Sequence, residues 1–179
     1  MSFFLQDWSD TDLGSAFVWP TQPMLLDVDI PTGVGATKSL RFTTSSVNNG
    51  VYPMTLTLTM PLASDISYYR KVSSEGGYDF LRFYIDGVQQ AADSGSVAWG
   101  LVTFPVTAGT HTLKWTSSKD GSVSAGSDTA WLAVVKAILK RDPNALGYVT
   151  LDAQAPLAPS GPMHTPPWQV WYDAVGAHP

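Results

Sequence analysis

The sequence predicts an all-β fold: a single jelly-roll β-sandwich of about eight strands, with an extended arm at each end. Short strand-like runs separated by turn signals recur between residues 24 and 139, which is the pattern of a sandwich. Residues 55–60 alternate strictly between threonine and apolar side chains, as in a strand with one buried face. With 179 residues, 44% of them hydrophobic, the chain can bury one core.

The predicted strands follow one another between turn-forming residues. They occupy residues 24–30, 39–44, 55–60, 66–72, 78–86, 98–106, 110–116 and 128–139. In the third strand, Leu56, Leu58 and Met60 are predicted to face the core. The fifth strand carries aromatic side chains on both faces, which indicates a central strand covered on both sides.

The last strand has a helical alternative. Alanine, leucine and lysine are good helix formers, and they are common in residues 131–140. The strand interpretation is favoured. It places Trp131, Ala133 and Val135 on one face, and Leu132 and Val134 on the other.

Three segments are predicted along the chain. Residues 1–23 form an aromatic N-terminal arm, residues 24–140 form the sandwich, and residues 141–179 form a proline-rich C-terminal docking arm. Seven of the 13 prolines fall after residue 141, and proline removes the backbone donor that a β-ladder needs. Disordered linkers are poor in large aromatics, so the tryptophans of this segment indicate an arm that docks on its own sandwich, a neighbouring subunit or a scaffold.

Composition narrows the function classes. Only 14% of residues are charged, and the net charge is −5, which argues against a nucleic-acid partner. The N-terminus resembles no signal peptide, and no apolar run is long enough to span a membrane. Cysteine is absent. These features predict a protein that is assembled in the cytoplasm and later faces the exterior, as virion proteins do.

The sequence lacks the catalytic motifs that we sought. No Gly-x-Ser-x-Gly nucleophile elbow accompanies the three histidines, and His111 is interpreted as a core residue. Glu75 is the single glutamate, which disfavours a glycosidase with paired carboxylates. Asp27 and Asp29 share one face of a strand end, but two carboxylates are few for calcium. We therefore predict no enzyme activity, no catalytic residues, no cofactor and no metal.

Aromatic residues outside the expected core are the candidates for partner binding, because tryptophan and tyrosine dominate the energetics of interfaces. Trp99, Trp115 and Trp131 are instead predicted to lie in the core. The predicted partner-binding residues are Trp8, Trp19, Tyr68, Tyr69, Trp168, Trp171 and Tyr172.

Several motifs together resemble a known module. They are Tyr78-Asp-Phe-Leu-Arg-Phe-Tyr-Ile-Asp-Gly87, Trp99, Phe104-Pro-Val-Thr-Ala-Gly-Thr-His-Thr-Leu-Lys-Trp115, Lys119-Asp120 and Gly126-Ser-Asp-Thr-Ala-Trp131. This series is similar to the MAM-like or concanavalin-like jelly-roll module of bacterial surface and phage particle proteins. The resemblance covers residues 65–135 well and 24–64 loosely. It implies binding or structural spacing, not catalysis.

The sequence thus leads to a functional expectation and an alternative. The expectation is a non-enzymatic structural protein of a phage-like virion: a head decoration, spike or fibre subunit. Such a subunit would dock through its arms on other virion proteins and form a homo-oligomer. The alternative is a carbohydrate-binding or adhesion module, at a cell surface or secreted, that binds a glycan. Neither nucleic acid nor a membrane is an expected partner.

Overall fold

A computed structural model describes residues 2–8, 17–18, 24–43 and 48–140. In these residues the chain forms eleven β-strands and no helix, so none of them belongs to a helix that could cross a membrane. The strands are β1 Ser2–Gln6, β2 Phe17–Val18, β3 Met24–Asp27, β4 Ser39–Thr43, β5 Val51–Met60, β6 Ser64–Ser73, β7 Phe80–Ile85, β8 Val88–Ser94, β9 Ser96–Val106, β10 Gly109–Ser118 and β11 Thr129–Leu139. The all-β prediction is confirmed, and the helical alternative for residues 131–140 is excluded.

The strands form two antiparallel sheets that pack face to face. One sheet has six strands in the order β3-β4-β11-β6-β9, and β1 pairs with the second half of β11. The other has five strands in the order β2-β5-β10-β7-β8. This is the predicted jelly-roll sandwich.

The core lies between the two sheets and centres on aromatic rings. The ring centroid of Phe83 lies 5.1 Å from that of Tyr68, 4.8 Å from that of Trp115 and 5.0 Å from that of Phe104. These rings come from both sheets, and such tilted and edge-to-face contacts add to the stabilisation gained by burial. The inward orientation predicted for residues 56, 58 and 60 is confirmed, since all three pack in or against this core.

One strand of the structure is not predicted by the sequence. Residues 88–94 form β8, although the sequence predicts no strand there, because glutamine and alanine have little preference for strands. Pairing with β7 imposes the extended conformation. Tertiary context here overrides local propensity.

A second difference lies in the middle of β11. The pairing with β6 shifts register between Ala133 and Lys136, and Val134 has a positive φ of 53°. A bulge of this kind inserts an extra residue and changes the face to which later side chains point. Val135 therefore joins Leu132 in the core between the sheets, and not Ala133 as simple alternation predicted.

The described part of the predicted N-terminal arm belongs to the sandwich. Strand β1 pairs with β11, and Trp8 is fully buried in the core. Residues 9–16 and 19–23 lie outside the described residues, as does the whole predicted docking arm at 141–179. The segment boundaries at 23 and 140 remain predictions.

Candidate functional site

The outer face of the six-stranded sheet carries an apolar cluster of its own. Ala36, Ala133 and Val134 are buried there, separately from the core between the sheets. Tyr69 and Trp99 pack against them and remain partly exposed. Since Ala36 lies in the connection between β3 and β4, this connection folds over the sheet and covers part of its outer face.

Strand register places the large side chains of this face next to one another. Trp131 lies opposite Arg41 on one neighbouring strand and opposite Lys71 on the other. Tyr69 lies between Ala133 and Leu101, whose side chain is 55% exposed. The result is a continuous surface of aromatic and cationic side chains across β4, β11, β6 and β9.

Two aspartates hold the tryptophans of this surface in place. The indole Nε1 of Trp99 donates a 2.8 Å hydrogen bond to Asp29 Oδ1, and that of Trp131 donates a 3.1 Å bond to Asp27 Oδ2. Hydrogen bonds to ionised acceptors are stronger than neutral ones. Both ring orientations are therefore set before any ligand arrives.

The same carboxylates pair with the cations of the surface. Arg41 Nη1 lies 3.3 Å from Asp27 Oδ2, and Lys71 pairs with Asp29. Lys71 Nζ also lies 4.8 Å from the ring centroid of Trp131, a cation–π contact. Asp27 and Asp29, considered above as calcium ligands, thus bind indole N–H groups and side-chain cations.

The pKa of Asp27 reflects this environment. Burial raises it, but the hydrogen bond from Trp131, backbone hydrogen bonds and the charge of Arg41 outweigh burial. The pKa of Asp27 consequently lies below its ordinary value, and the carboxylate is ionised at neutral pH.

We call this surface the aromatic platform; it comprises Tyr69, Trp99 and Trp131 with Asp27, Asp29, Arg41 and Lys71. Trp131 is only 5% exposed and lies beneath Lys71, so Tyr69 and Trp99 are the rings available to a ligand. Aromatic rings held in fixed orientations next to polar groups are typical of ligand sites, and they can stack on the apolar faces of sugars.

A buried cation organises a second cluster, at the turn between β10 and β11. The side chain of Lys119 is 1% exposed, and its Nζ lies 3.3 Å from Asp79 Oδ2 and 3.4 Å from Asp128 Oδ2. It also donates a 2.6 Å hydrogen bond to the carbonyl of Val123.

The pKa values of this cluster reflect its ion pairs. Burial lowers the pKa of Lys119, but the contacts with Asp79 and Asp128 outweigh burial and raise it. For Asp128, burial raises the pKa, and hydrogen bonds from Ser124, Ala125 and Lys119 bring it below its ordinary value.

Three carboxylates near this lysine have the spacing of a metal site. One oxygen from each of Glu75, Asp79 and Asp120 lies within 4.8 Å of the others. Burial and the negative charges of Asp120 and Asp79 raise the pKa of Glu75, while Lys119 lowers it. The buried ammonium group already supplies a positive charge here, so we assign this cluster a structural role.

His111 also has a structural setting. Its Nδ1 lies 2.7 Å from Asp86 Oδ2, and its Nε2 lies 3.1 Å from the carbonyl oxygen of Thr107. The hydrogen bond with His111, followed by one from the backbone of Thr112, lowers the pKa of Asp86. Both ring nitrogens are thus engaged, one by the turn between β7 and β8 and the other by the connection between β9 and β10. The hydroxyl Oγ1 of Thr107 also lies 3.3 Å from His111 Nε2, so the ring lies between an aspartate and a threonine.

The structure separates the residues predicted to bind partners. Tyr69 lies on the aromatic platform. Tyr68 is 2% exposed and Trp8 is fully buried, so the prediction that these two face a partner is corrected. Neighbouring residues of a strand point to opposite faces, and Tyr68 and Tyr69 therefore cannot both face outward. Trp19, Trp168, Trp171 and Tyr172 lie outside the described residues.

Sequence reasoning missed most of the platform. Trp115 lies in the core as predicted, but Trp99 and Trp131 lie on the outer face of the sheet. The alternation of Trp131 with the core residue Leu132 already contained this signal. Nothing local connected either tryptophan to Asp27 or Asp29.

Comparison with solved structures finds proteins with a similar fold. The K3 cleaved adhesin domain of Lys-gingipain from Porphyromonas gingivalis matches with a TM-score of 0.54 and 8% identity, over 77% of this chain and 99% of that one. The CBM22-1 xylan-binding domain of Paenibacillus barcinonensis Xyn10C matches with a TM-score of 0.50 and 14% identity, over 78% and 94%. The fold is a jelly-roll sandwich. The likeness is to concanavalin-like jelly rolls in general and is not specific to the MAM type.

A third match is to part of a larger protein. The secreted serine protease VesC from Vibrio cholerae has a TM-score of 0.47 and 16% identity, over 58% of this chain, which spans 22% of VesC. No protein-family model and no curated protein sequence matches the chain.

Proposed function

We propose that this chain is a non-enzymatic carbohydrate-binding or adhesion module, and that the aromatic platform is its ligand-contacting surface. The observation that carries the proposal is the hydrogen bond from the Trp99 indole to Asp29. This bond holds a partly exposed indole ring in a fixed orientation beside Tyr69. A ligand that stacks on these rings would lose little free energy in ordering them.

Two similar solved structures support this proposal over the virion interpretation. One is described as xylan-binding and the other as an adhesin domain, and neither is a virion protein. A surface-exposed or secreted setting suits such a module. Docking through the terminal arms and homo-oligomer formation both remain predictions.

The platform's own chemistry favours a neutral sugar. Asp27 and Asp29 are paired with Arg41 and Lys71, so the charges of the platform are balanced within the chain. The remaining surface is offered by the rings of Tyr69 and Trp99 and by the exposed side chain of Leu101. Stacking by aromatic rings requires no charge on the ligand.

The test is binding of the purified chain to xylan and a panel of other neutral soluble polysaccharides, measured by titration calorimetry. Truncation of an anchoring tryptophan or tyrosine costs about 2 kcal/mol, so Trp99→Ala and Tyr69→Ala should each weaken binding roughly 30-fold. Tyr69→Ala leaves the Trp99–Asp29 hydrogen bond intact. Weaker binding by this variant therefore reports the loss of a ligand contact and not a disordering of the connection between β3 and β4.

Tyr78→Ala provides the matched control, because Tyr78 is 61% exposed but lies in the turn before β7, away from the platform. This variant should bind as the wild type does. The proposal fails if the wild type binds no polysaccharide of the panel, or if all three variants bind alike while their thermal melts remain unchanged.

A further inference from the structure

The outer face of the five-stranded sheet presents a different surface. Leu81 and Phe83 of β7 and Leu113 and Trp115 of β10 lie in the core, so the residues between them point outward. The register places Tyr84 opposite Lys114, and Arg82 opposite Thr116. Arg82 and Lys114 are thus diagonal neighbours, a relation that corresponds to about 7–8 Å between adjacent strands.

Each of these cations rests on an aromatic ring. Lys114 Nζ lies 4.7 Å from the ring centroid of Tyr84, and Arg82 Cζ lies 4.1 Å from that of Phe80. Arg82 Nη1 also donates a 2.9 Å hydrogen bond to Ser118 Oγ. Such cation–π contacts hold the two charged groups above the sheet. We call Phe80, Arg82, Tyr84 and Lys114 the cationic strip.

The cations of the strip lack acidic partners in the part of the chain that the structure describes. Strands β5, β7 and β10 contain no aspartate or glutamate. Asp93 of the edge strand β8 pairs with Arg70, and Asp86 in the turn after β7 pairs with His111. The ion pairs of the described residues use the cations Arg41, Arg70, Lys71, His111, Lys119 and Lys140.

The cations on the outer faces of the two sheets differ in whether they are paired with carboxylates. The chain has 15 acidic and only 10 basic residues, and the cations of the aromatic platform are paired with aspartates. Two neighbouring cations with no acidic partner among the described residues, in a chain of net charge −5, form a local site of complementary charge for an anion.

Hydroxyl groups surround the cations. Thr55 lies opposite Lys114 on the other side of β10, and Thr57 lies opposite Thr112. Farther along the same two strands, the hydroxyls of Thr59 and Thr110 lie 2.9 Å apart. A row of outward hydroxyls can donate and accept hydrogen bonds, as the hydroxyl groups of a sugar chain require.

We propose that the cationic strip is a second binding site, which takes an acidic polysaccharide. Arg82 and Lys114 contact carboxylate or sulfate groups of the chain, while the threonines of β5 and β10 contact its sugar hydroxyls. Two cations are too few for a nucleic acid, whose dense phosphate charge demands a broad basic surface. This site is independent of the aromatic platform and of its neutral ligand.

The experiment measures binding of the intact chain to polygalacturonate, which is carboxylated, to dextran sulfate, which is sulfated, and to neutral dextran. Saturable binding to at least one acidic polymer is expected, and neutral dextran should not compete with it. Charge-assisted contacts at an exposed surface are modest, so Arg82→Gln with Lys114→Gln should weaken acidic-polymer binding about 10-fold. Binding should also weaken as salt is raised from about 0.05 to 0.5 M, because exposed charges are screened.

Lys38→Gln with Lys136→Gln is the charge-matched control, since Lys38 lies just before β4 and Lys136 on β11 of the other sheet, and neither forms an ion pair among the described residues. It should change binding less than twofold. Trp99→Ala should likewise leave acidic-polymer binding intact, which separates this site from the platform. The inference is overturned if the control weakens binding as much as the strip variant does, if the strip variant binds normally, or if single-stranded DNA binds as tightly as the acidic polysaccharides.

Discussion

The indole of Trp99 in β9 donates a 2.8 Å hydrogen bond to Asp29, 70 residues earlier, in the connection between β3 and β4. The bond joins the edge strand of the six-stranded sheet to the segment that folds over its outer face. Asp29 also pairs with Lys71, and its backbone carbonyl accepts a 2.6 Å hydrogen bond from Ser39. A single aspartate therefore ties together three strands and the aromatic platform.

Replacing this aspartate should loosen the platform. Asp29→Ala removes the acceptor of the Trp99 indole and the partner of Lys71, and should lower the free energy of unfolding by about 1–3 kcal/mol. Urea denaturation measures the loss. Amide exchange of residues 30–38 should accelerate at the same time, because this segment loses its tie to β9.

The control for this variant is Asp65→Ala. Asp65 forms a surface ion pair with Lys140, with the two side chains 34% and 45% exposed, and such pairs contribute at most about 1 kcal/mol. Equal losses from the two variants, with unchanged amide exchange in the segment, would contradict the role assigned to Asp29.

The buried Lys119 should be among the most sensitive positions of the sandwich. Lys119→Met keeps most of the side-chain volume but leaves Asp79 and Asp128 without their shared cation. Breaking a buried ion pair by removing one partner costs roughly 3–5 kcal/mol, which denaturant unfolding would measure. Lys136→Met, on the six-stranded sheet, should cost less than about 1 kcal/mol. A loss below about 1 kcal/mol for Lys119→Met would show that the cluster does not stabilise the turn.

Acid should destabilise the fold through its aspartates. Asp27, Asp86 and Asp128 all have lowered pKa values in the folded chain. A carboxyl whose pKa is lower in the folded chain than in the unfolded chain stabilises the fold. This stabilisation is complete when the pH is above the pKa of the unfolded chain, near 3.9, and it is lost as the pH falls through the pKa of the folded chain. The melting temperature should therefore fall below about pH 4.

The acid effect can be assigned to particular carboxylates. Asp27→Asn and Asp128→Asn remove two of the groups that titrate, so the double variant should be less stable at neutral pH but lose less stability on acidification. Thermal melts between pH 7 and pH 2 report both quantities. Curves that run parallel for wild type and double variant would count against these assignments.

Replacing Gly126 with alanine would test the contact between the turn before β11 and the end of β6. Its φ is 65°, and a Cβ at this position would lie 2.5 Å from Ser73 Oγ and 3.2 Å from the backbone carbon of Ser73. Gly33 has a φ of 77° but no atom within 4 Å of such a Cβ. Gly33→Ala should cost about 1 kcal/mol from backbone strain, and Gly126→Ala roughly 2–4 kcal/mol, because crowding adds to strain. Equal unfolding free energies for the two variants would exclude the predicted crowding.

Local patterns in the sequence were enough to determine the fold class. The alternation of Leu56, Leu58 and Met60 with threonine fixes which side of β5 is buried, since the two-residue period of a strand depends only on the chain itself. The same rule separates Tyr68 from Tyr69. Applied strictly, it would have placed Tyr68 in the core from the sequence alone.

The tertiary structure decided which residues meet. The bulge at Val134 arises from pairing between β11 and β6, and it redirects Val135 into the core against the local alternation. Long-range pairing likewise brings Trp99 to Asp29 and makes Arg82 and Lys114 diagonal neighbours, with no acidic partner in the described part of the chain. Strand order and register set these contacts, and neither is encoded in any short stretch of residues, because both depend on the free energy of packing the whole sandwich.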